Sequence, residues 1–312
     1  MRVPIVMIIG PPRSGTTLLG NLLDLHPKIS TIIEPYYIWD HHFRNSPHDQ
    51  MSEQDASDPI RKQIRGSFGR YLTDIGADMV VDKSPRNSIK IPFIKAVFPE
   101  AYFVIIMRDA RDTILSIQRQ WQSVGAAFSK YRHKKLLKER FIISRRWLAQ
   151  RPTWRLRLQS ILFELGPLQN WPKKNFLNQI RWQRPFGWGP RFEGWQDVID
   201  RVSLLEFNAY QWAHCARGIM DHTTLLPKGR VFTLKYEDLI AEPEPWLRRL
   251  FSFLGTDLPG SYYATMPPIW SQNSQKWPHA FSSEELKTIG PIVSKELITW
   301  GYEKDESWYQ KI

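Results

Sequence analysis

The sequence predicts an α/β protein with a mostly parallel central sheet flanked by helices, and three features of the 312-residue chain indicate this class. Short apolar runs rich in β-branched residues recur along the chain, which is typical of strands buried on both faces. Segments with apolar residues at helical spacing follow these runs, so strands alternate with helices. The first run ends in a glycine-containing loop that leads directly into a helix. Such alternation implies a mostly parallel sheet covered by helices on both faces.

Each predicted element follows from its own stretch of sequence. Residues 3–9, 78–82, 101–107 and 231–234 are predicted as buried strands, and ISTII at 29–33 is an apolar stretch that suits a further strand. Helices are predicted after the glycine loop and after the strand at 101–107, because apolar residues recur there at helical spacing. An amphipathic helix, WLRRLFSFLG, is expected to follow chain breaks at Pro243 and Pro245 and to end at Gly255.

Composition excludes several classes of protein. With 42% hydrophobic and 24% charged residues, the chain is neither disordered nor collagen-like. The single cysteine, Cys215, cannot form an internal disulfide or a cysteine-based zinc site. Apolar runs fall short of the ~18 residues that a membrane span needs, and the N-terminal run enters the glycine loop instead of a signal-peptide cleavage site. We therefore expect a cytoplasmic protein, with peripheral membrane contact as an open alternative.

The excess positive charge lies in one segment. The whole chain has a net charge of +12, yet residues 119–195 contain 17 Lys and Arg side chains against three Glu. Seven of the 14 tryptophans lie in the same segment. We therefore expect a single domain over 1–312, in which 120–200 forms a basic, Trp-rich helical insertion.

The glycine loop is the most informative motif. Gly10 to Thr17 reads GPPRSGTT, and its glycine spacing and final threonine fit the phosphate-binding pattern G-x-x-x-x-G-K-[ST]. Backbone N–H groups of such a loop and the following helix N-terminus attract an anion. Thr16 replaces the lysine that reaches the β- and γ-phosphates of ATP, while Arg13 offers another cation inside the loop. The loop therefore predicts a site for an anion other than ATP, the alternative being a tight strand–helix turn without a ligand.

The sequence around this loop resembles a known family. PRSGTTLLGNLLDLHPKISTIIEP is similar to the opening of sulfotransferases that use 3′-phosphoadenosine 5′-phosphosulfate (PAPS), especially the branch of tyrosylprotein sulfotransferases and their bacterial relatives. The resemblance implies a P-loop-like sulfotransferase fold. It also implies that the loop grips the 5′-phosphosulfate, which assigns nucleotide binding to Arg13, Ser14, Gly15, Thr16 and Thr17.

Three further motifs extend the resemblance. FVIIMRDARDTILS is similar to the element that holds the 3′-phosphate, which maps that role onto Arg108 and Ser116. A guanidinium at a strand end suits a phosphate because it donates charge-assisted hydrogen bonds. KYEDL resembles the family's Y-E-D-L element, with Tyr236 on the nucleotide. The C-terminal segment resembles a cap with a Ser- and Lys-bearing loop, and its candidate residues are Ser274, Lys276 and Trp277, with Ser271 as a rival to Ser274.

One position departs from the family pattern. In the tyrosylprotein branch a second arginine follows the 3′-phosphate serine by four residues, and here Gln120 occupies that position. Arg119 stands one residue earlier. One residue along a helix is about 100° of rotation, so we expect Arg119 to point away from the nucleotide.

Transfer of a sulfuryl group requires a base, and it requires cations beside the transferring group and the leaving oxygen. Glu34, at the end of ISTII, is predicted as the base, and the resemblance indicates the same glutamate. Lys83 follows the strand at 78–82 in a D-K-x-P element and is predicted to meet the sulfuryl group or leaving oxygen, together with Arg13. Asp82 is expected to be a structural partner. No metal is expected.

The predicted reaction is therefore in-line transfer from PAPS to an acceptor hydroxyl on a glycan, lipid or phenol, leaving adenosine 3′,5′-bisphosphate. Arg86 is a further candidate for binding nucleotide or acceptor, and His41 and His42 for lining the acceptor side. Two alternatives from other classes remain, a nucleotide-dependent kinase and a non-catalytic glycan- or membrane-binding protein of the same fold.

The basic segment 120–200 is expected on the acceptor side and has three interpretations. It forms a surface for an anionic acceptor such as an acidic glycan, or amphipathic helices lying on anionic lipid, or a solvated insertion that packs its tryptophans on the core. No nucleic-acid motif accompanies the charge, so nucleic acid is not an expected partner.

Overall fold

The computed structural model describes residues 3–43, 45–130, 189–269, 272 and 274–311, with the backbone alone for 121–130. Most of the predicted basic insertion, and Ser271, lie outside these residues. Within the described part of the chain, no helix is both long enough and apolar enough to cross a bilayer.

The centre of the protein is a five-stranded parallel sheet. Its order is β2-β3-β1-β4-β5, so β1 is central and the chain crosses to either side of it. The pairings β1–β3, β1–β4, β2–β3 and β4–β5 are all parallel. The strands are β1 (Ile5–Ile9), β2 (Ile29–Ile33), β3 (Met79–Lys83), β4 (Tyr102–Met107) and β5 (Val231–Lys235).

Helices connect these strands. They are α1 (Thr16–Asp24), α2 (Tyr36–Trp39), α3 (Asp58–Ile75), α4 (Ile91–Val97), α5 (Ala110–Lys130), α6 (Trp195–Ile199), α7 (Leu204–Thr223), α8 (Tyr236–Ala241), α9 (Pro243–Leu254), α10 (Tyr262–Thr265), α11 (Ser283–Thr299) and α12 (Ser307–Gln310). Short 3₁₀ helices span Glu53–Asp55, Pro85–Ile89 and Trp277–His279.

The two faces of the sheet bury separate apolar cores, because side chains alternate along each strand. From β1, Ile5, Met7 and Ile9 join the core that contains residues of α3, α4, α7 and α11. Val6 and Ile8 join the opposite core with residues of α1, α8 and α9. The sheet is therefore covered on both faces, which confirms the predicted fold class.

The structure confirms the predicted strands and differs at one helix boundary. The strand that contains Val231 ends at Lys235, and Tyr236 already begins α8. Pro243 does not break the chain before α9 but is its first residue. Proline is tolerated in the first turn because its missing N–H would have no helical partner there. Gly255 ends α9 with a left-handed backbone, as predicted.

Candidate functional site

The loop between β1 and α1 is held by hydrogen bonds at its base. Ser14 Oγ donates to the Pro11 carbonyl at 2.6 Å, and the Gly10 N–H donates to Ser88 Oγ at 3.1 Å. Gly15 is the N-cap of α1 and has a φ of 93°. With no side chain at the cap, the first N–H groups of α1 are available to an anion.

Glycine is required at position 15 for two reasons. Its φ lies in the left-handed region, which other residues adopt at a cost. A Cβ there would also lie 2.3 Å from Cδ2 of Tyr236, which is inside any permitted contact. Thr16, which replaces the lysine of the ATP-binding pattern, is buried, whereas Thr17 is exposed.

A cavity of about 200 Å³ opens beside this loop. It lies between the loop, α5, the start of α8 and the C-terminal loop that precedes Trp277. Four of its lining residues are basic and one is acidic, so the cavity is suited to an anion. The lining residues are Arg13, Arg108, Asp112, Leu115, Ser116, Arg119, Tyr236 and Lys276.

Two arginines meet at the centre of this cavity. Arg13 Nε donates to Ser116 Oγ at 3.1 Å, and Arg108 Nη1 donates to the Arg13 carbonyl at 3.1 Å. Burial and the charge of Arg108 both lower the pKa of the Arg13 guanidinium. Two guanidinium groups that raise each other's energy in this way are stabilised when anionic groups bind beside them.

Arg108 is oriented by its neighbours. Its guanidinium lies 4.6 Å from the centre of the Tyr236 ring, and its Nη2 lies 3.9 Å from Asp112 Oδ2. Stacking on an aromatic face and a nearby carboxylate both restrict a guanidinium, which reduces the entropy lost on binding a phosphate.

Arg119 lies in the same cavity, contrary to expectation. Ser116 and Arg119 are three residues apart on α5, and residues at that spacing are neighbours on one helix face. The prediction compared Arg119 with position 120 of the family pattern and did not consider its position relative to Ser116.

Glu34 and Lys83 form an ion pair at the carboxyl end of the sheet. Lys83 is the last residue of β3, and Glu34 follows β2, whose Ile33 is in register with Lys83. Lys83 Nζ donates to Glu34 Oε1 at 2.9 Å, and the Glu34 N–H donates to the Lys83 carbonyl at 2.8 Å. The lysine side chain is 3% exposed and the glutamate side chain 37%. The carboxylate is therefore the partner that remains accessible to a substrate.

The side chains around this pair are mainly structural. Asp82 is buried and accepts a hydrogen bond from Trp39 Nε1, as expected of a structural partner. Arg86 forms ion pairs with Asp40 at 3.0 Å and Asp49 at 3.3 Å. Both carboxylates compensate the charge of the Arg86 guanidinium, and binding of nucleotide or acceptor by Arg86 stays a prediction.

The remaining predicted site residues differ in their surroundings. His41 and His42 are exposed residues beyond α2, with ring centres 4.9 Å apart. Trp277 is stacked on Arg111 with the guanidinium 3.7 Å from the ring centre, and it does not line the cavity. Ser274 precedes Lys276 in the same loop, and of the two only Lys276 lines the cavity.

Among the described residues, no group of three or more His, Cys, Asp and Glu residues could hold a metal ion.

The sequence and this site define the class of protein. Residues 4–162 and 189–260 match the model of the sulfotransferase family, so the chain belongs to that family.

Proteins with similar sequences include a bacterial nodulation protein and an animal protein-tyrosine sulfotransferase. The chain is 26% identical to nodulation protein NoeE of Sinorhizobium fredii over an alignment of 132 residues. This alignment covers 38% of this chain and 32% of that protein. It is 27% identical over 146 residues to protein-tyrosine sulfotransferase 1 of Danio rerio, with coverage of 42% and 40%. The chain therefore spans about a third to two fifths of the length of these curated relatives.

Solved structures share the fold over nearly the whole chain. The sulfotransferase domain of the Synechococcus PCC 7002 olefin synthase aligns with a TM-score of 0.55 at 14% identity, over 97% of each chain. The sulfotransferase domain from the curacin biosynthetic pathway aligns with a TM-score of 0.53 at 15% identity, over 95% of this chain and 98% of that one. At such identities the likeness establishes the fold alone.

Proposed function

We propose that the protein transfers a sulfuryl group from PAPS to an acceptor hydroxyl and leaves adenosine 3′,5′-bisphosphate. One observation carries the choice of donor. The cavity is lined both by Arg13 of the glycine loop and by Arg108 and Ser116, so cationic groups of two separate elements line it. A nucleotide with phosphate groups on both its 5′ and 3′ positions fits that division, whereas ADP has phosphates on the 5′ side alone.

The residues divide the work of binding. The N–H groups at the start of α1 and Arg13 hold the 5′ side. Arg108 and Ser116, supported by Arg119 and Lys276, hold the 3′-phosphate. Tyr236 packs beside Gly15 and against the guanidinium of Arg108. Its ring therefore lies between the residues that hold the 5′ side and those that hold the 3′-phosphate.

The Glu34–Lys83 pair performs the chemistry. PAPS supplies a sulfuryl group on a phosphate leaving group, and the acceptor hydroxyl must lose a proton as it attacks in line. Glu34 Oε takes that proton, because its carboxylate is accessible. Lys83 Nζ keeps its proton and stabilises the negative charge that develops on the bridging oxygen, together with Arg13.

The acceptor belongs to a hydroxyl-bearing class: a phenol, a glycan or a lipid. The relatives named protein-tyrosine sulfotransferases favour a phenolic hydroxyl as the first compound to screen. Contact of residues 120–200 with an anionic acceptor or a membrane surface stays a prediction, as does a cytoplasmic location.

Calorimetric titration tests the donor. Adenosine 3′,5′-bisphosphate should bind at least tenfold more tightly than adenosine 5′-phosphate, which differs by the 3′-phosphate alone, and than ADP. Arg108→Ala should weaken binding of the bisphosphate roughly 10- to 100-fold and leave the 5′-phosphate nearly unchanged, because a charge-assisted hydrogen bond contributes about 1.5–3 kcal/mol.

Arg249→Ala is the matched control, since Arg249 is an exposed arginine on α9, away from the cavity. It should change neither affinity. Equal binding of the three nucleotides by the unsubstituted protein would contradict PAPS as donor. Preference for ADP would favour a nucleotide-dependent kinase.

A further inference from the structure

Asp112 is a carboxylate inside an otherwise basic cavity. Its side chain is 1% exposed, and it accepts hydrogen bonds from three consecutive backbone amides of the C-terminal loop. The N–H groups of Gln275, Lys276 and Trp277 donate to it at 2.6, 2.9 and 3.0 Å. An ionised carboxylate that accepts several N–H groups is held strongly.

The backbone of the loop is shaped around this carboxylate. Gln275 has a φ of 57°, in the left-handed region, and Lys276 is right-handed with φ −87° and ψ −20°. Successive residues of opposite hand turn their N–H groups to one side and form a concave site for an anion. Here the anion is a side chain of the protein itself, on α5.

This tether fixes the loop relative to the predicted phosphate ligands. Asp112, Ser116 and Arg119 all line the cavity from one face of α5. Lys276, whose N–H group is tethered, lines the same cavity from the C-terminal loop. A second contact secures the loop, because Trp277 lies on the guanidinium of Arg111.

We propose that Asp112 is a positioning residue that holds the Lys276-bearing loop over the 3′-phosphate. The inference rests on the proposed function, since it assumes that this cavity binds a 3′-phosphorylated nucleotide. Asp112 does not touch the nucleotide and acts through the loop that it anchors.

Electrostatics and tethering predict opposite results for the loss of this carboxylate. Removing a negative charge from a phosphate site should strengthen nucleotide binding if charge alone decides. Removing the tether should weaken binding, because ordering the loop then costs conformational entropy. The sign of the change therefore separates the two roles.

The experiment is a double-mutant cycle measured by calorimetry with adenosine 3′,5′-bisphosphate and adenosine 5′-phosphate. Asp112→Ala and Lys276→Ala should each weaken binding of the bisphosphate by about tenfold, and the double variant by at most about 30-fold, because both changes remove the same contact. Binding of the 5′-phosphate should change by less than about threefold. Asp112→Asn keeps one acceptor oxygen and should show an intermediate loss.

Glu296→Gln is the matched control, since Glu296 is a buried carboxylate paired with Arg217 outside the cavity. This control substitution should lower the stability of the protein without changing the ratio of its affinities for the two nucleotides. If Asp112→Ala fails to fold, Asp112→Asn provides the same comparison. Tighter binding, unchanged binding, full additivity with Lys276→Ala or an equal loss for both nucleotides would overturn the inference alone. Failure of the unsubstituted protein to prefer the bisphosphate would overturn the proposed function, and the inference with it.

Discussion

The Glu34–Lys83 pair shows how one residue's exposure defines its role. Lys83 is almost fully enclosed, and its ammonium group is held by a carboxylate that remains partly open. In the proposed mechanism the lysine therefore keeps a fixed position while the glutamate exchanges its partner for an acceptor hydroxyl. A pair with the opposite exposure would present a cation to the acceptor and could not remove its proton.

Replacing Glu34 by Gln should abolish transfer and spare nucleotide binding. The amide cannot accept the proton, and loss of a general base typically lowers rates about 10²- to 10⁴-fold. Transfer from radiolabelled PAPS to a panel of phenols, glycans and lipids measures the rate, and calorimetry measures the affinity for adenosine 3′,5′-bisphosphate. Glu53→Gln, an exposed change outside the site, should affect neither. Turnover within a few-fold of the unsubstituted protein would remove Glu34 from the mechanism.

Among single residues, sequence motifs were informative where a local pattern carries the chemistry. Arg13, Arg108, Ser116 and Tyr236 lie in short motifs, and the structure brings all four to one cavity. Asp112 was missed because its partner loop begins at Gln275, 163 positions further along the chain. Local spacing carries no information about such a contact. The sequence feature that could have indicated Asp112 is its place as the second aspartate of RDARD at 108–112.

At the scale of elements, the turn from β1 to α1 depends on Tyr236 at the start of α8. The aromatic ring occupies the space beside Gly15, so the conformation of the phosphate-binding loop is set partly by a helix more than 200 residues later. The loop and α8 are therefore packed together, and a substitution in either should lower the affinity for nucleotide.

Gly15→Ala should destabilise the protein more than a comparable change at Gly76. Both glycines have left-handed backbones, with φ of 93° and 73°, which costs a substituted alanine about 1–2 kcal/mol. At Gly76 a Cβ meets nothing within 4 Å, whereas at Gly15 it meets Tyr236 at 2.3 Å. The overpacking should add about 1–3 kcal/mol.

Urea unfolding measures this difference in the free energy of unfolding, and calorimetry should show loss of nucleotide binding for Gly15→Ala alone. Equal destabilisation by the two substitutions would mean that Tyr236 moves aside without cost.

Element boundaries show why the sequence predicted strands better than helix ends. Runs such as Ile5–Ile9 are apolar on both faces, and only a central strand buries both. Pro243 carries a more ambiguous signal, because proline suits both a chain break and the first turn of a helix. The fold class was therefore predictable from patterning, while helix starts depended on context.

At the scale of the whole molecule, Asp82 should make stability depend on pH. Burial raises the pKa of Asp82 to about 6 from an ordinary 3.8, although Trp39, Lys90, Asn87 and Lys83 favour its charged form. The folded state therefore binds a proton more tightly than the unfolded state between these values. Its contribution to stability is complete below about pH 4 and is lost as the pH rises through about 6.

Asp82→Asn should remove this dependence, since the amide keeps an acceptor for Trp39 and never ionises. Relative to the unsubstituted protein, the variant should gain about 2 kcal/mol in the free energy of unfolding between pH 4.5 and pH 7.5. Urea unfolding at both values measures the change. Asp74→Asn, at an exposed position of α3, should show the same difference from the unsubstituted protein at both. If Asp82→Asn also differed from the unsubstituted protein by the same free energy of unfolding at both pH values, the pKa of Asp82 would not be raised in the folded state.

The order of residues around the cavity bears on how the protein assembles. Its lining comes from Arg13, from Arg108 to Arg119, from Tyr236 and from Lys276, so the cavity is complete only after β5 and the loop beyond α10 have joined the sheet. During synthesis on the ribosome, the first half of the chain exposes the glycine loop long before its walls exist. Contacts between residues as far apart in sequence as Arg13 and Tyr236 form slowly during folding. If the proposed function holds, nucleotide binds only the finished protein and stabilises that state by mass action.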